Sequence, residues 1–302
     1  MLRVHRFSPG LLNNLCSLVN AHLDMLPVRW TCQARELSAS LWGNRWPHTE
    51  FWTQVADLHV ACAIDDGHLL GAAQYCRMTR PVDMDTAPGS GLLNWFYFDP
   101  EHPEAGDELI AHVRRVLLNS GCNRLVAFHQ CAGMPFVYFT RGNLSSRWSH
   151  IDAALRRAAF EVLQRSEHVL MTAKLPPVAS PPEPDVPIKT VWRDRPDSEV
   201  QALDSNGRPT GFCAVWDMAR TSASPEAARW SFVAYIEVMP GFRRRGIGAH
   251  LLSLQMQRAA RDGKHAMALA VSEQNHPAIE LYQRMGFESV DRMWSYEAVL
   301  SA

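Results

Sequence analysis

Apolar positions along the chain switch between a two-residue and a three-to-four-residue period, and they do so in the same order twice. In the first half, residues 58–78 read as a strand pair and 91–98 as a strand closed by Pro100. Residues 107–121 read as a helix, 123–130 as a strand, 151–160 as a helix and 161–172 as strand material. In the second half, 198–218 read as two strands around a turn at Asn206-Gly207, a pair suited to positive φ. The run 228–239 follows. Phe232, Ala234, Ile236 and Val238 share one parity, and Val233, Tyr235 and Glu237 the other. Both faces are largely apolar, which predicts a central strand covered on both sides. Residues 246–265 predict a helix with Gly263 as its stop, 266–273 a buried strand, and 276–287 a short helix between Pro277 and Gly286. Strand character closes the chain over 288–300.

The repeated order predicts a duplicated fold: α/β (α+β), two tandem mixed-sheet layer sandwiches. Between the halves lies "LPPVASPPEPDVP", with six prolines in thirteen residues. Proline fixes φ and removes a backbone donor, so the stretch predicts an extended linker. The expected domains are therefore 1–174, a linker over 175–187, and 188–302.

Composition narrows the partners. The 302 residues are 47% hydrophobic and 20% charged, with a net charge of -1. That balance gives no basic field for nucleic acid or an anionic membrane, so any anion site must be local. No apolar run reaches 18 residues, and the N-terminal apolar stretch is broken by two asparagines, so neither a spanning helix nor a signal peptide is expected. Seven scattered cysteines without a C-x-x-C pair read as reduced thiols of a cytoplasmic protein. Cys122, His129 and Cys131 offer no fourth ligand at zinc spacing, and no metal is expected.

One local anion site stands out. "PGFRRRGIGAHLL" follows the central strand and opens a helix, placing Arg243, Arg244 and Arg245 before Gly246, Ile247 and Gly248. Glycines let backbone amides approach an anion, and the first helical turn points free N–H groups and the positive dipole end at it. Neither a G-x-x-x-x-G-K nor a G-x-G-x-x-G spacing occurs, which speaks against nucleoside triphosphates and dinucleotides. By itself the run also fits a solvated basic cap.

Downstream, "LAVSEQNHPAIELYQRMGF" carries Leu269, Val271, Asn275, Ala278, Leu281, Tyr282, Gly286 and Phe287. Together the two segments resemble the GNAT superfamily of N-acetyltransferases, with V-x-P-x-[YF]-[RQ]-x-x-G-x-[GA] over 238–248 and L-x-V-x-x-x-N-x-x-A-x-x-L-Y-x-x-x-G-F over 269–287. The tandem arrangement is similar to that of mycothiol synthase. The resemblance implies that acetyl-CoA is a cosubstrate, held at its pyrophosphate by Arg243–Gly248. It implies that Ile236, Glu237 and Val238 pair with the pantetheine arm, with Asn275 beside it. It implies Tyr282 as the acid that protonates the leaving thiolate. Glu237, beside that site, is a candidate base, with Glu273 a second. The acceptor expected is a small-molecule amine. A non-catalytic alternative is an acyl-CoA-binding sensor or scaffold module, and a larger acyl group is compatible with a seat that reads CoA.

The first copy lacks these features. Laying Pro100 on Pro240 puts "PEHPEAGDE" on the arginine loop, with Glu108 on Gly248, and laying Phe160 on Phe287 puts Leu155 on Tyr282. Acidic residues there repel a pyrophosphate, so the first copy is expected to be degenerate. The second half also lacks opening helices, and the tryptophans at 30, 42, 46 and 52 are expected to serve packing.

Overall fold

The structure is a computed structural model. It describes all residues except 44–47, 82–86, 88, 135, 177–182, 195–197 and 302. Trp46 and the middle of the proline-rich stretch lie outside the described residues. In chain order the elements are β1 (Arg3–Arg6), α1 (Leu12–Leu23), α2 (Ala34–Ser40), α3 (Thr49–Trp52), β2 (Val55–Asp65), β3 (His68–Met78), β4 (Ser90–Phe98), α4 (Pro103–Asn119), β5 (Arg124–Ala127), β6 (Leu144–Ser145), α5 (Ser149–Arg157) and β7 (Glu161–Val162). They continue with β8 (His168–Lys174), β9 (Lys189–Asp194), β10 (Ser198–Leu203), β11 (Pro209–Asp217), β12 (Trp230–Val238), α6 (Ile247–Arg261), β13 (Ala266–Ser272), α7 (His276–Arg284), β14 (Glu288–Trp294) and β15 (Tyr296–Val299). The predicted α/β order is present in both halves.

The chain forms two compact units, Met1–Glu167 with Arg292–Ala302, and His168–Asp291. The division falls at Glu167 and again at Asp291, so the described part of the proline-rich stretch lies inside the second unit. The physical reason is a strand exchange. The first sheet runs β1-β2-β3-β4-β5-β15-β7, and the second contains β14-β8-β13-β12-β11-β10-β9. β15, the last strand of the chain, inserts between β5 and β7, pairing Ala298 with Leu125 and Tyr296 with Val162. β8 takes the same position beside β13, pairing Met171 with Leu269. β7 and β8, consecutive in the chain, thus lie in different sheets, as do β14 and β15.

In the second unit α6 lays Ile247, Leu251, Leu252 and Met256 on the inner face of β10–β13, against Val200, Cys213, Val215, Val233, Met267 and Leu269. Tyr282, Met285 and Phe287, from α7 and the residues after it, join the same core. Gly211 makes the close approach possible, because a Cβ there would lie 2.8 Å from the Glu237 carbonyl and 3.4 Å from Leu251. The β10–β11 turn differs from the Asn-Gly turn expected. Only Gly207 has positive φ, and the Asp204 carboxylate organises a wider loop by accepting from the N–H groups of Asn206 and Arg208.

In the first unit Trp30 and Trp52 are buried, as packing requires, whereas Trp42 is half exposed. Trp52 packs with Phe51, Met78, Leu92 and Val126. No helix among the described residues is long and apolar enough to cross a membrane.

Candidate functional site

The second unit's central strand is not covered on both sides throughout. β12 and β13 are hydrogen-bonded as parallel strands only from Trp230 to Phe232. Beyond Phe232 they part, while β12 stays paired with β11 as far as Val238. Residues 233–238 therefore offer β13's side a free backbone edge. A β-bulge at Ala234 shifts the pairing from Val215↔Val233 to Ala214↔Tyr235 and resets the alternation. Val233, Ile236 and Val238 face the core, and Phe232, Tyr235 and Glu237 face away from it. Tyr235 is 63% exposed and Glu237 is exposed. A bulge of this kind marks sites where a strand is re-aimed. The sequence signal for it is weak: strict alternation groups Tyr235 and Glu237 with the buried Val233.

The strand runs into the arginine loop. Pro240–Phe242 forms a single 3-10 turn, Arg244 has φ 63° and Gly246, the residue before α6, has φ 77°. These left-handed residues turn the chain so that its amides face outward. Among the described residues none of the backbone N–H groups from Arg244 to Ala249 meets a protein acceptor. The arginine side chains sit around this row rather than in it. Arg243 Nε donates to the Val238 carbonyl at 3.0 Å, the Arg245 guanidinium lies 5.9 Å from the Phe242 ring centroid, and all three arginines are exposed. The Asp185 N–H donates to the Arg245 carbonyl at 3.2 Å. Gly248 has room for a Cβ, 3.5 Å from Leu281 and 3.6 Å from Val238, whereas Gly246 is set by its backbone.

α7 carries the other predicted residues. Asn275 precedes it and accepts from the Ala278 N–H at 3.4 Å, an N-cap that leaves its amide NH₂ to donate. Tyr282 is on the inner side of α7, buried, with its ring 5.9 Å from Phe287. Burial, with Cys213 nearby, holds its phenol above the usual range. Cys213 itself is fully buried on β11 and its thiol is pushed up in turn, so it is not a nucleophile.

The first unit repeats this frame and fills it. β4 and β5 pair from Ser90 to Leu93 and then part, with a bulge at Asn94. Residues 129–134 and 136–143 lie on that side: Gly133, Met134 and Val137 line one small cavity with Asn94, Trp95 and Tyr97, and Met134, Phe136, Val137, Tyr138 and Phe139 are buried. A cavity of only about 10 Å³ remains among Asn94, Trp95, Tyr97, Val137 and Trp148. The loop crosses itself so tightly that a Cβ on Gly133 would lie 2.1 Å from the Thr140 carbonyl. Near its helix start some of the amides have partners within the chain. The Glu101 N–H donates to Asp99 Oδ1 at 3.0 Å, the Ala105 N–H to the His102 carbonyl at 3.0 Å, and His102 pairs with Glu104 at 2.9 Å.

Packing also corrects the alignment of the copies. Gly71 sits against Phe98 and Leu109, as Gly211 sits opposite Val238 and against Leu251. Phe98 and Leu109 are eleven residues apart, Val238 and Leu251 thirteen. The first loop is thus two residues shorter, and Gly106, not Glu108, corresponds to Gly248. A Cβ on Gly106 would lie 2.8 Å from the Phe98 ring, so this glycine serves packing.

Comparison with known proteins follows the same boundaries. Residues 165–287 match the sequence model of the acetyltransferase (GNAT) family, a range close to the second compact unit. An L-methionine sulfoximine/L-methionine sulfone acetyltransferase of Salmonella typhimurium is 30% identical over 94 residues, 31% of this chain and 53% of that protein. An L-amino acid N-acyltransferase of Escherichia coli is 30% identical over 88 residues, 29% of this chain and 49% of that protein. The alignments thus span about half the length of these curated relatives. A tandem GNAT protein from the clavulanic acid biosynthesis pathway superposes with a TM-score of 0.72 at 13% identity, covering 100% of this chain and 99% of that one. That likeness establishes the tandem fold.

Proposed function

Residues 165–287 match the acetyltransferase (GNAT) family, and from that match we propose that the second unit moves an acetyl group from acetyl-CoA to the amine of a small molecule by direct transfer. The observation that carries this reading is the free edge of β12 leading into the row of unpartnered amides from Arg244 to Ala249. Such a row, with two left-handed residues and a helix dipole behind it, fits a pyrophosphate. The exposed Arg243, Arg244 and Arg245 add counter-charge. Backbone groups of Ile236 and Val238 fit the amides of a pantetheine arm, as an edge strand receives an extended partner, and the NH₂ of Asn275 would donate to the same arm.

Acetyl-CoA, when bound, supplies an acetyl group activated as a thioester. Glu237, exposed on the outward face of β12, takes the proton that an ammonium acceptor must lose, directly or through water. A backbone N–H freed at the bulge donates to the carbonyl oxygen as charge develops there. Tyr282, kept protonated by burial, gives its proton to the leaving thiolate. Two relatives are named for amino acids or amino-acid analogues, which supports a small-molecule amine as acceptor.

Thiol release from acetyl-CoA, screened across amino acids, amino-acid analogues and polyamines, tests the reading. At least one amine is expected to accelerate release, and Tyr282→Phe is expected to lower kcat about 100-fold with CoA affinity unchanged. CoA binding with no accelerating amine would favour a non-catalytic binding module instead. Full activity in Tyr282→Phe would remove the acid assignment.

A further inference from the structure

The outward face of β12 continues onto β11 as an aromatic strip. Phe212, Ala214 and Trp216 alternate with the buried Cys213 and Val215, so they lie on the side that carries Phe232, Tyr235 and Glu237. The register sets Phe212 opposite Glu237, Ala214 opposite Tyr235 and Trp216 opposite Phe232. The Trp216 ring lies 5.8 Å from Phe232 and 6.4 Å from Tyr235, the second pair edge to face at 83°. Ala214 carries a single side-chain carbon and leaves a notch among Phe212, Trp216 and Tyr235. Beyond β11 the face turns polar. Glu199 stands opposite Ala214 and Gln201 opposite Phe212, and the Gln201 amide donates to Glu199 Oε1 at 2.6 Å. Among the described residues of the second unit, Tyr235 is the only large apolar side chain that is exposed. A tyrosine left in water at the rim of a half-buried aromatic strip has the anatomy of a binding face.

The acetyl transfer read above, on which this inference rests, decides which side the acceptor uses. A thioester laid along the free edge at 233–238 has the packed core on one side, where Tyr282 lies, and the aromatic strip on the other. The acid and the attacking amine meet the thioester from different sides, so the amine comes over the strip with its nitrogen at Glu237. We propose that the acceptor is an amine with an aromatic ring two carbons from its nitrogen, an aromatic amino acid or an arylethylamine, whose ring Trp216 and Tyr235 hold over Ala214. Tyr235 and Glu237 are same-face neighbours, which on a strand stand about 6.6 Å apart. A nitrogen joined to a ring through two carbons spans that separation. The ammonium end meets a carboxylate and the ring meets two others in edge or offset contact. The polar border at Glu199 and Gln201 limits the apolar strip to two strands, wide enough for one ring system.

The test compares thiol release from acetyl-CoA by the full chain with phenethylamine, tryptamine, L-phenylalanine, L-alanine and putrescine. At least one aromatic amine should exceed both L-alanine and putrescine in kcat/KM by about tenfold or more, chiefly through KM. Phenethylamine against L-phenylalanine tells a free arylethylamine from an amino acid. Tyr235→Ala, at an exposed position, should cut the aromatic preference about tenfold through KM, with the KM of acetyl-CoA unchanged. Tyr235→Phe, which keeps the ring, should retain the preference. Faster transfer to L-alanine or putrescine, or an aromatic preference that Tyr235→Ala leaves intact, would overturn the aromatic site while leaving acetyl transfer standing. No release with any amine, in protein that binds CoA, would overturn the transfer reading and this inference with it.

Discussion

In the first unit β4 and β5 stay paired from Ser90 to Leu93 before parting, and in the second β12 and β13 part after Phe232. Both central strands carry a bulge just beyond that point, at Asn94 and Ala234. The same opening then has opposite fates. One is filled by an apolar loop that packs beside Asn94, Trp95 and Tyr97, and near its helix start Asp99 and His102 accept from the Glu101 and Ala105 N–H groups. The other is left open, with an exposed Glu237 and a row of unpartnered amides. The contrast teaches that the fold supplies a slot and an anion seat, and that the apolar loop after β5, together with a helix-start loop two residues shorter, makes them unavailable in the first unit.

Glycine substitutions are the sharpest way to break this comparison, because corresponding glycines do different work. Gly133→Ala puts a Cβ 2.1 Å from a backbone oxygen and should destabilise the chain by about 3 kcal/mol or more, read by urea denaturation. Gly248→Ala meets only ordinary contacts at 3.5 Å and 3.6 Å and should leave the urea midpoint unchanged or slightly higher, since alanine favours the helix. Gly246→Ala places a side chain on a residue at φ 77°. It should cost about 1 kcal/mol and weaken acetyl-CoA binding about tenfold as the amide row shifts. Gly106→Ala, facing the Phe98 ring at 2.8 Å, should lower stability by about 1–3 kcal/mol with no effect on that binding. Equal binding defects in Gly246→Ala and Gly106→Ala would erase the distinction between the units.

A smaller effect separates the units by pH. His22 and His150 meet through their Nε2 atoms at 3.0 Å inside the first unit. Burial lowers His22, and burial and then His22 lower His150 to about 4. The unfolded chain takes up protons below ~6.5 while the folded one resists until about 4, so stability is present above pH ~6.5 and lost as pH falls through that window. The melting temperature should drop by a few degrees from pH 7 to pH 5, and His150→Gln should blunt the drop. A drop that His150→Gln leaves intact would place its origin elsewhere.

Much of this was legible in the sequence because it is local. The helix at 247–261 with its glycine start and the short helix between Pro277 and Gly286 follow from short-range spacing, whereas the capping by Asn275 and the burial of Tyr282 came with the structure. The strand exchange was not legible. β8 and β15 carry the same alternation whichever sheet receives them, and pairing partners far apart in sequence leave no trace in a single chain. The bulge at Ala234 escaped for a related reason, since one extra residue flips the faces without changing composition. The loss of the first site was visible only as an acidic loop, while the larger obstacle, the loop after the strand at 123–130, carries no regular period and predicts no element.

Titration calorimetry of CoA into the full chain addresses the difference between the units most directly. A stoichiometry of one is expected, with the site weakened by Gly246→Ala and indifferent to Gly106→Ala. Two sites per chain, or one site that survives Gly246→Ala and fails in Gly106→Ala, would contradict it.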